Sequence, residues 1–218
     1  SAALIEVPNG FNAALFAGDP HVHQPIAFEI DDRGRLWVIE CFTYEGGEYD
    51  LSKRDRILIF EDTDGDGRFD HRKIFWDQGQ RLTGLTLGFG GVWLTSAPNL
   101  LFLPDRNRDD TPDGEPKVLL EGFSILARHN MVNGLRWGPD GWLYGNQGVF
   151  NHSLVGKPGT AKDERIEMRA GVWRYHPTRH VFEVFATGCS NQWGIDFNEV
   201  GHLFITHCRS AWGGGPTS

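Results

Sequence analysis

Two stretches of the chain space oxygen-bearing side chains as a hard cation would want them. The first reads Asp62-Thr-Asp64-Gly-Asp66-Gly67-Arg-Phe-Asp70, the second Asp105-Arg-Asn107-Arg-Asp109-Asp110-Thr-Pro-Asp113. In both, oxygens fall at positions 1, 3, 5 and 9, and every pair is offset by 43 residues. With Gly67 at position 6, the first stretch matches the opening half of an EF-hand-type calcium loop. It has Lys73 where that loop has its bidentate Glu, so weak affinity is expected unless another segment supplies an oxygen. The second carries Asp110 and Pro112 in place of the sharp-turn glycine. The competing reading is an Asp-rich turn whose carboxylates accept backbone N–H groups. In either case the role is structural, a staple on an outer hairpin.

A second concentration of chemistry lies in loops rich in amides, imidazoles and guanidinium groups. One set reads His21-Val-His23-Gln24-Pro25, Gln80-Arg81-Leu-Thr83, Arg128-His129-Asn130-Met-Val-Asn133 and Ser190-Asn191-Gln192-Trp193. The other reads Glu40-Cys41-Phe-Thr-Tyr44-Glu45, Ser96-Ala-Pro-Asn99, Asn146-Gln147-Gly148 and His207-Cys208-Arg209. Such groups grip anionic or polyhydroxylated ligands, and a histidine among them can serve as general base. His129, Asn146 and His207 are the set that best fits a ligand site. Amides at strand ends that merely satisfy the backbone are the bland alternative.

These loops need a scaffold, and the sequence repeats one. Four segments alternate apolar residues around a tight turn that ends on glycine: Ile26–Val38, Leu85–Leu94, Leu135–Tyr144 and Ile195–Ile205. The turn glycines are Gly34, Gly91, Gly141 and Gly201, at spacings of 57, 50 and 60 residues. Turns such as Pro-Asp-Gly between alternating apolar residues are hairpin signals. A further strand pair follows each of the first three hairpins, giving four strands per period, the mark of a β-propeller blade. The expected fold is all-β, an incomplete propeller of about three and a half blades of six. Blades are expected near 21–78, 79–123 and 128–188, with a fourth opening at 189–218. A blade places its entering and leaving loops on one face and its turns on the other, so the polar loops gather on one side and both Asp-rich turns on the opposite side. Gly148–Met168 reads as a loop inserted in the third blade. Trp37 and Trp93 read as packing residues between blades.

Composition agrees. Of 218 residues, 28 are Gly, 11 Pro, 8 Trp and 15 Phe against 2 Met, too aromatic for disorder and too rich in turns for a helical bundle. A net charge of −8 lacks the basic footprint of a nucleic-acid binder. No apolar run is long enough for a membrane span. Three cysteines and no CxxC exclude a covalent c-type haem in this stretch. Cys189 and Cys208, flanking the fourth hairpin, are expected within disulfide reach. The start at Ser1 and the unfinished fourth blade suggest a piece of a larger, exported protein.

The third repeat, Arg128-His129-Asn130…Gly134-Leu-Arg-Trp-Gly138-Pro-Asp-Gly-Trp-Leu-Tyr144-Gly-Asn146-Gln147-Gly148, resembles the glucose/sorbosone dehydrogenase family of six-bladed quinoprotein propellers. Together with Asp-Thr-Asp-Gly-Asp-Gly, Gly171-Val-Trp-Arg-Tyr175 and Asn191-Gln-Trp-Gly194, it is most similar to the exported membrane-bound-dehydrogenase propellers of planctomycete-type bacteria. The resemblance implies oxidation of a sugar or alcohol by pyrroloquinoline quinone. His129 would be the base, and Asn146 stands where the enzymes have an Asp. The cofactor would be held by Arg81, Asn130, Gln147, Asn191, Gln192, His207 and Arg209. It also implies a periplasmic or cell-surface location and further blades or a haem domain in the parent chain. Two other functions are open: a non-catalytic carbohydrate- or protein-binding module, and a metal-dependent lactonase-like hydrolase with Glu40 and Glu45 as its acidic candidates.

Overall fold

The structure, a computed structural model, describes residues 4–208. Its strands in chain order are β1 (Pro25–Ile30), β2 (Leu36–Glu40), β3 (Tyr44–Glu45), β4 (Glu48–Tyr49), β5 (Asp55–Glu61), β6 (His71–Gly79), β7 (Leu82–Leu87), β8 (Gly91–Ser96) and β9 (Asn99–Pro104). They continue as β10 (Lys117–Glu121), β11 (Asn133–Trp137), β12 (Leu143–Gln147), β13 (Ser153–Val155), β14 (Ile166–Met168), β15 (Gly171–His176), β16 (Val181–Thr187), β17 (Gln192–Phe197) and β18 (Leu203–His207). Three four-stranded sheets form in the orders β1-β2-β5-β6, β7-β8-β9-β10 and β11-β12-β15-β16, and β17-β18 starts another. Every pairing within them is antiparallel. This is a β-propeller of four-stranded blades.

Period-two alternation decides how the sheets stack. On β8, Val92 and Leu94 face the first sheet, packing with Trp37, Ile39, Ile57 and Phe75. Trp93, between them, faces the third, against Leu135, Leu143, Trp173 and Tyr175. The third sheet repeats the device: Leu143 and Trp173 turn back to the second, while Trp142, Tyr144 and Val172 meet Ile195, Phe197 and Leu203 of the β17–β18 pair. Each middle sheet is thus apolar on both faces, which is what radial stacking requires. Trp37 and Trp93 are 4% and 3% exposed, packing residues as expected.

Each inner hairpin closes through the same bond, from Gly34, Gly91, Gly141 and Gly201 N–H to the carbonyl three residues earlier. The second turn differs in hand. There Phe89 and Gly90 are left-handed, with φ of 52° and 77°, whereas the other three place only their closing glycine there, near 80°.

Two expectations change. The segment 148–168 contains a hairpin, β13–β14, docked on the second sheet: Gly156 and Glu121 exchange backbone bonds, and Arg165 pairs with Glu121. Val155 and Met168 join the core between the second and third sheets, so the insertion is part of the packed body. Cys189 and Cys208 are free thiols. Cys189 is buried beside Val149, Met168 and Val184, and it is the next residue, Ser190, whose Oγ lies 3.3 Å from the Cys208 sulfur. The chain at 189–190 points the wrong side chain at Cys208. No helix among the described residues is long and apolar enough to cross a membrane.

Candidate functional site

The loop-bearing face is organised by two buried carboxylates at the first sheet. Glu40 accepts from His23 N–H (2.8 Å) and from the Arg56 guanidinium (2.7 Å). Asp55 accepts from Thr43 N–H and Oγ1 and, across the seam, from Leu82 N–H at 2.9 Å. Burial raises the Asp55 pKa, opposed by the Leu82 and Thr43 bonds. Burial, then the Asp55 charge, pushes the adjacent Cys41 thiol up to about 12, so it is inert. Both carboxylates are fully buried, and these bonds tie the loops down.

From that base the segment after β2 rises as the small β3–β4 hairpin, reversing through Gly46 and Gly47 in left-handed conformations. It reaches across the second sheet to the third. Tyr44 Oη lies 2.7 Å from His129 Nδ1, and Glu48 pairs with Arg128. The Tyr44 and Tyr49 rings sit 5.1 Å apart, and the Arg81 guanidinium lies over Tyr49 at 5.8 Å. Arg81 itself is left-handed (φ 50°), with its N–H on Thr43 Oγ1. The hairpin therefore brings Tyr44 together with Arg81, from the loop entering the second sheet, and His129, from the turn entering the third.

Of the other candidates, several are committed to the fold. Gln147 is fully buried: its amide NH₂ faces the carbonyls of Asn151, Met168 and Arg169, and its oxygen accepts from Ser153. It pins the inserted hairpin and is not free for a cofactor. Asn130 is buried and takes Phe150 N–H. Asn191 accepts from the Trp193 indole. His207 is exposed at the end of β18, opposite Gln192. Arg209 lies outside the described residues.

Asn146 behaves differently. It is fully buried, and neither its amide nitrogen nor its oxygen has a protein partner. Asn133, its cross-strand neighbour, donates to Met131 C=O and leaves its own oxygen unpaired. Gln192 donates to Gly188 C=O and leaves its oxygen unpaired as well. The Asn146 amide reaches the seam with β17: a Cβ added to Gly134 would sit 3.0 Å from Asn146 Nδ2 and 3.6 Å from Trp193 C=O. The second sheet shows the satisfied version of this position, where Thr83 and Thr95 bond each other, Thr83 also bonds Val132 C=O and Thr95 Gly84 C=O. Buried amides without partners are costly unless water or a ligand completes them. Sequence places Asn146, Gln192, Asn133 and Tyr44 all in the polar loops, but singles out only Asn146 and Gln192 as site residues.

On the turn face, Asp62, Asp64 and Asp70 bring one oxygen each within 4.8 Å of one another; Asp66 is not in that group. Asp62 also accepts N–H bonds from Gly65, Asp66 and Gly67, and Asp70 from Thr63. Asp105, Asn107, Asp109 and Asp113 make the corresponding backbone bonds, but their carboxylates do not gather in this way among the described residues.

A family model for a domain of unknown function, DUF7133, matches residues 1–213. No curated protein matches the sequence. Among solved structures, the chain superposes on a protein assigned as a gluconolactonase with a TM-score of 0.50 at 15% identity, covering 90% of this chain and 60% of that one. A protein assigned as a 6-phosphogluconolactonase from Bacteroides fragilis gives 0.50 at 15%, covering 87% and 52%. One assigned as an oxidoreductase (glucose dehydrogenase) from Thermus thermophilus gives 0.49 at 18%, covering 84% and 57%. At these identities the likeness shows the propeller fold. The chain spans between 52% and 60% of the length of these structures.

Proposed function

The chain belongs to the DUF7133 family, and we propose that its propeller binds a small sugar-type ligand on the loop-bearing face. One observation carries this reading: Asn146 is buried with both ends of its amide unpartnered, beside the unpaired oxygens of Asn133 and Gln192. The set is neutral and offers more acceptors than donors, so it suits hydroxyl groups, with water holding the place before ligand arrives. The two propellers of TM-score 0.50, named for lactones of sugar acids, belong to the same ligand class. Calorimetry with glucose, glucitol and gluconate tests the reading. Binding of at least one is expected, weakened about tenfold by Asn146→Ala, the equivalent of one lost hydrogen bond of ~1.4 kcal/mol. Absence of binding by all three would overturn it.

Quinone-dependent oxidation is the enzymatic form of the same reading, with His129 as base and Arg81 and Arg209 on the cofactor carboxylates. The amide floor does not suit pyrroloquinoline quinone, a tricarboxylate that would meet carbonyl oxygens there, so no step is derived through it. Dye reduction by the full-length protein with quinone and calcium is its direct assay. A channel metal of the lactonase kind fares no better: Glu40, Glu45 and Asp55 are held by Arg56, Lys53 and Thr43 with Leu82. On the opposite face, we propose a calcium staple at Asp62, Asp64 and Asp70, supported by their clustered oxygens. A site this open binds weakly and fills where calcium is abundant, outside the cytoplasm.

A further inference from the structure

We infer that Tyr44 fixes neutral His129 in the tautomer with its proton on Nε2, so that His129 presents an N–H donor to the ligand face and does not serve as its base. This rests on the reading of that face as a ligand site. Tyr44 Oη is 2.7 Å from His129 Nδ1, a full-strength hydrogen bond. A phenol is a good O–H donor and a poor acceptor, because its lone pairs are drawn into the ring; an imidazole imine nitrogen is the better acceptor. Tyr44 Oη has no other hydrogen-bond partner among the described residues, so Nδ1 is where its proton goes. The tautomer of a histidine is set by the bond its other nitrogen makes, which here leaves the proton on Nε2.

The surroundings hold the pair in place. Tyr44 sits on the β3–β4 hairpin directly across from Tyr49, and Glu48 of that hairpin pairs with Arg128, the residue before His129. The Tyr44 and His129 rings meet edge to face at 86°. His129 remains exposed, so its outward N–H is available. Arg81, over Tyr49 on the same hairpin, adds a second donor. Arg81 spends one N–H on Ala97 C=O and keeps others, so with His129 the loop-bearing face favours a ligand oxygen that accepts, a carbonyl or carboxylate, to go with the hydroxyls suited to the amide floor. A gluconate-like acid or its lactone has both; a simple polyol does not.

Histidine-labelled protein at about pH 8, where imidazoles are neutral, decides the tautomer by long-range proton–nitrogen NMR. His129 signals are assigned by their loss in His129→Gln. The expected pattern is a protonated Nε2 with an imine-type Nδ1, replaced in Tyr44→Phe by a mixture of tautomers. A proton on Nδ1 in the natural protein, or an unchanged pattern in Tyr44→Phe, overturns the inference. Gluconate should shift the His129 Nε2–H resonance at concentrations where glucitol does not, and equal shifts with both refute the choice of ligand. If neither probe binds, the ligand choice fails, and the sugar-type reading falls with it once glucose also fails to bind, while the tautomer is still decided by the spectrum.

Discussion

The two Asp-rich turns are copies of one loop that meet their excess negative charge in different ways. Their backbone bonding corresponds closely, the Gly65 N–H bond to Asp62 being the exception. Asp70 N–H bonds Glu61 C=O and Asp113 N–H bonds Pro104 C=O; Asp62 caps 66 and 67, and Asp105 caps 109 and 110. They part at position 6. Gly67 leaves the first loop open, whereas Asp110 projects a carboxylate that the Arg35 guanidinium grips with two bonds, of 2.6 and 2.9 Å. Asn107 then donates its amide to Asp109, occupying an oxygen that an ion would need. The second loop carries a cation from the neighbouring sheet; among the described residues the first has none, and it keeps three carboxylate oxygens together. The same bonding frame therefore takes a protein cation in one loop and, in the other, leaves open the carboxylates of the proposed calcium staple, and position 6 marks the difference.

Removing Arg35 should have the largest effect. Its side chain is 7% exposed and also binds Asp31, which is 5% exposed, at the wall of a cleft of about 370 Å³ between the first two sheets. Arg35→Ala strands two carboxylates, a loss of about 3 kcal/mol in urea unfolding. A loss below ~1 kcal/mol would mean that the guanidinium does not stand in for an ion. The pH dependence sharpens this. The Arg35 bond holds Asp110 below the usual carboxylate range; burial pushes Asp31 up, but the Trp37 indole and Arg35 outweigh it and its pKa also ends low. A depressed folded pKa stabilises above the unfolded value, near 4, and that stability is lost as pH falls through the folded one. Asp105, raised by burial and then by the charges of Asp109 and Asp110, acts with opposite sign and softens the slope. Natural protein should lose stability in acid below about pH 4, and Arg35→Ala should show a flatter profile there.

Calcium comes next. At ten times its dissociation constant, an ion bound only by the folded chain adds about 1.4 kcal/mol, raising Tm by roughly 3–6 °C for a domain of this size. The gain should vanish with Asp62→Asn or Asp64→Ala and survive Asp109→Ala. If Asp109→Ala removes it and Asp62→Asn does not, the second loop is the site and the comparison is inverted.

How much of this was legible depends on how local the signal is. The inner hairpins and outer strands follow from alternating apolar residues and turn glycines, which the chain writes out in place. The β3–β4 hairpin does not: its strands are two residues long, without apolar alternation, and are positioned by contacts 38 to 85 residues away at Arg81 and His129. At the site, Asn146 and Gln147 look interchangeable in sequence. One step along β12 turns Gln147 toward the inserted hairpin, where its polar atoms are bonded, and Asn146 toward the seam, where none is. Whether a buried amide has a partner is a property of the neighbouring sheet, so no local pattern reports it. The same single step separates Cys189 from Ser190 opposite Cys208.

Lys73 should give the smallest effect and shows why counting positions misleads. In the linear motif it occupies the place of the bidentate ligand, so Lys73→Glu reads as a repair that should tighten calcium binding. In the fold, position 12 lies on β6, and the ammonium bonds Asp109 C=O at 3.1 Å and Thr111 Oγ1 at 3.5 Å in the second loop. Lys73→Met should therefore cost under about 1 kcal/mol and leave calcium affinity unchanged. Lys73→Glu should also fail to improve it, because the new carboxylate would face the acidic second loop and not the Asp62 cluster. A severalfold gain in calcium affinity for Lys73→Glu, read by calorimetry, would show that position 12 reaches the ion after all. The first loop would then be a calcium site missing one ligand, and its difference from the second would no longer rest on position 6 alone.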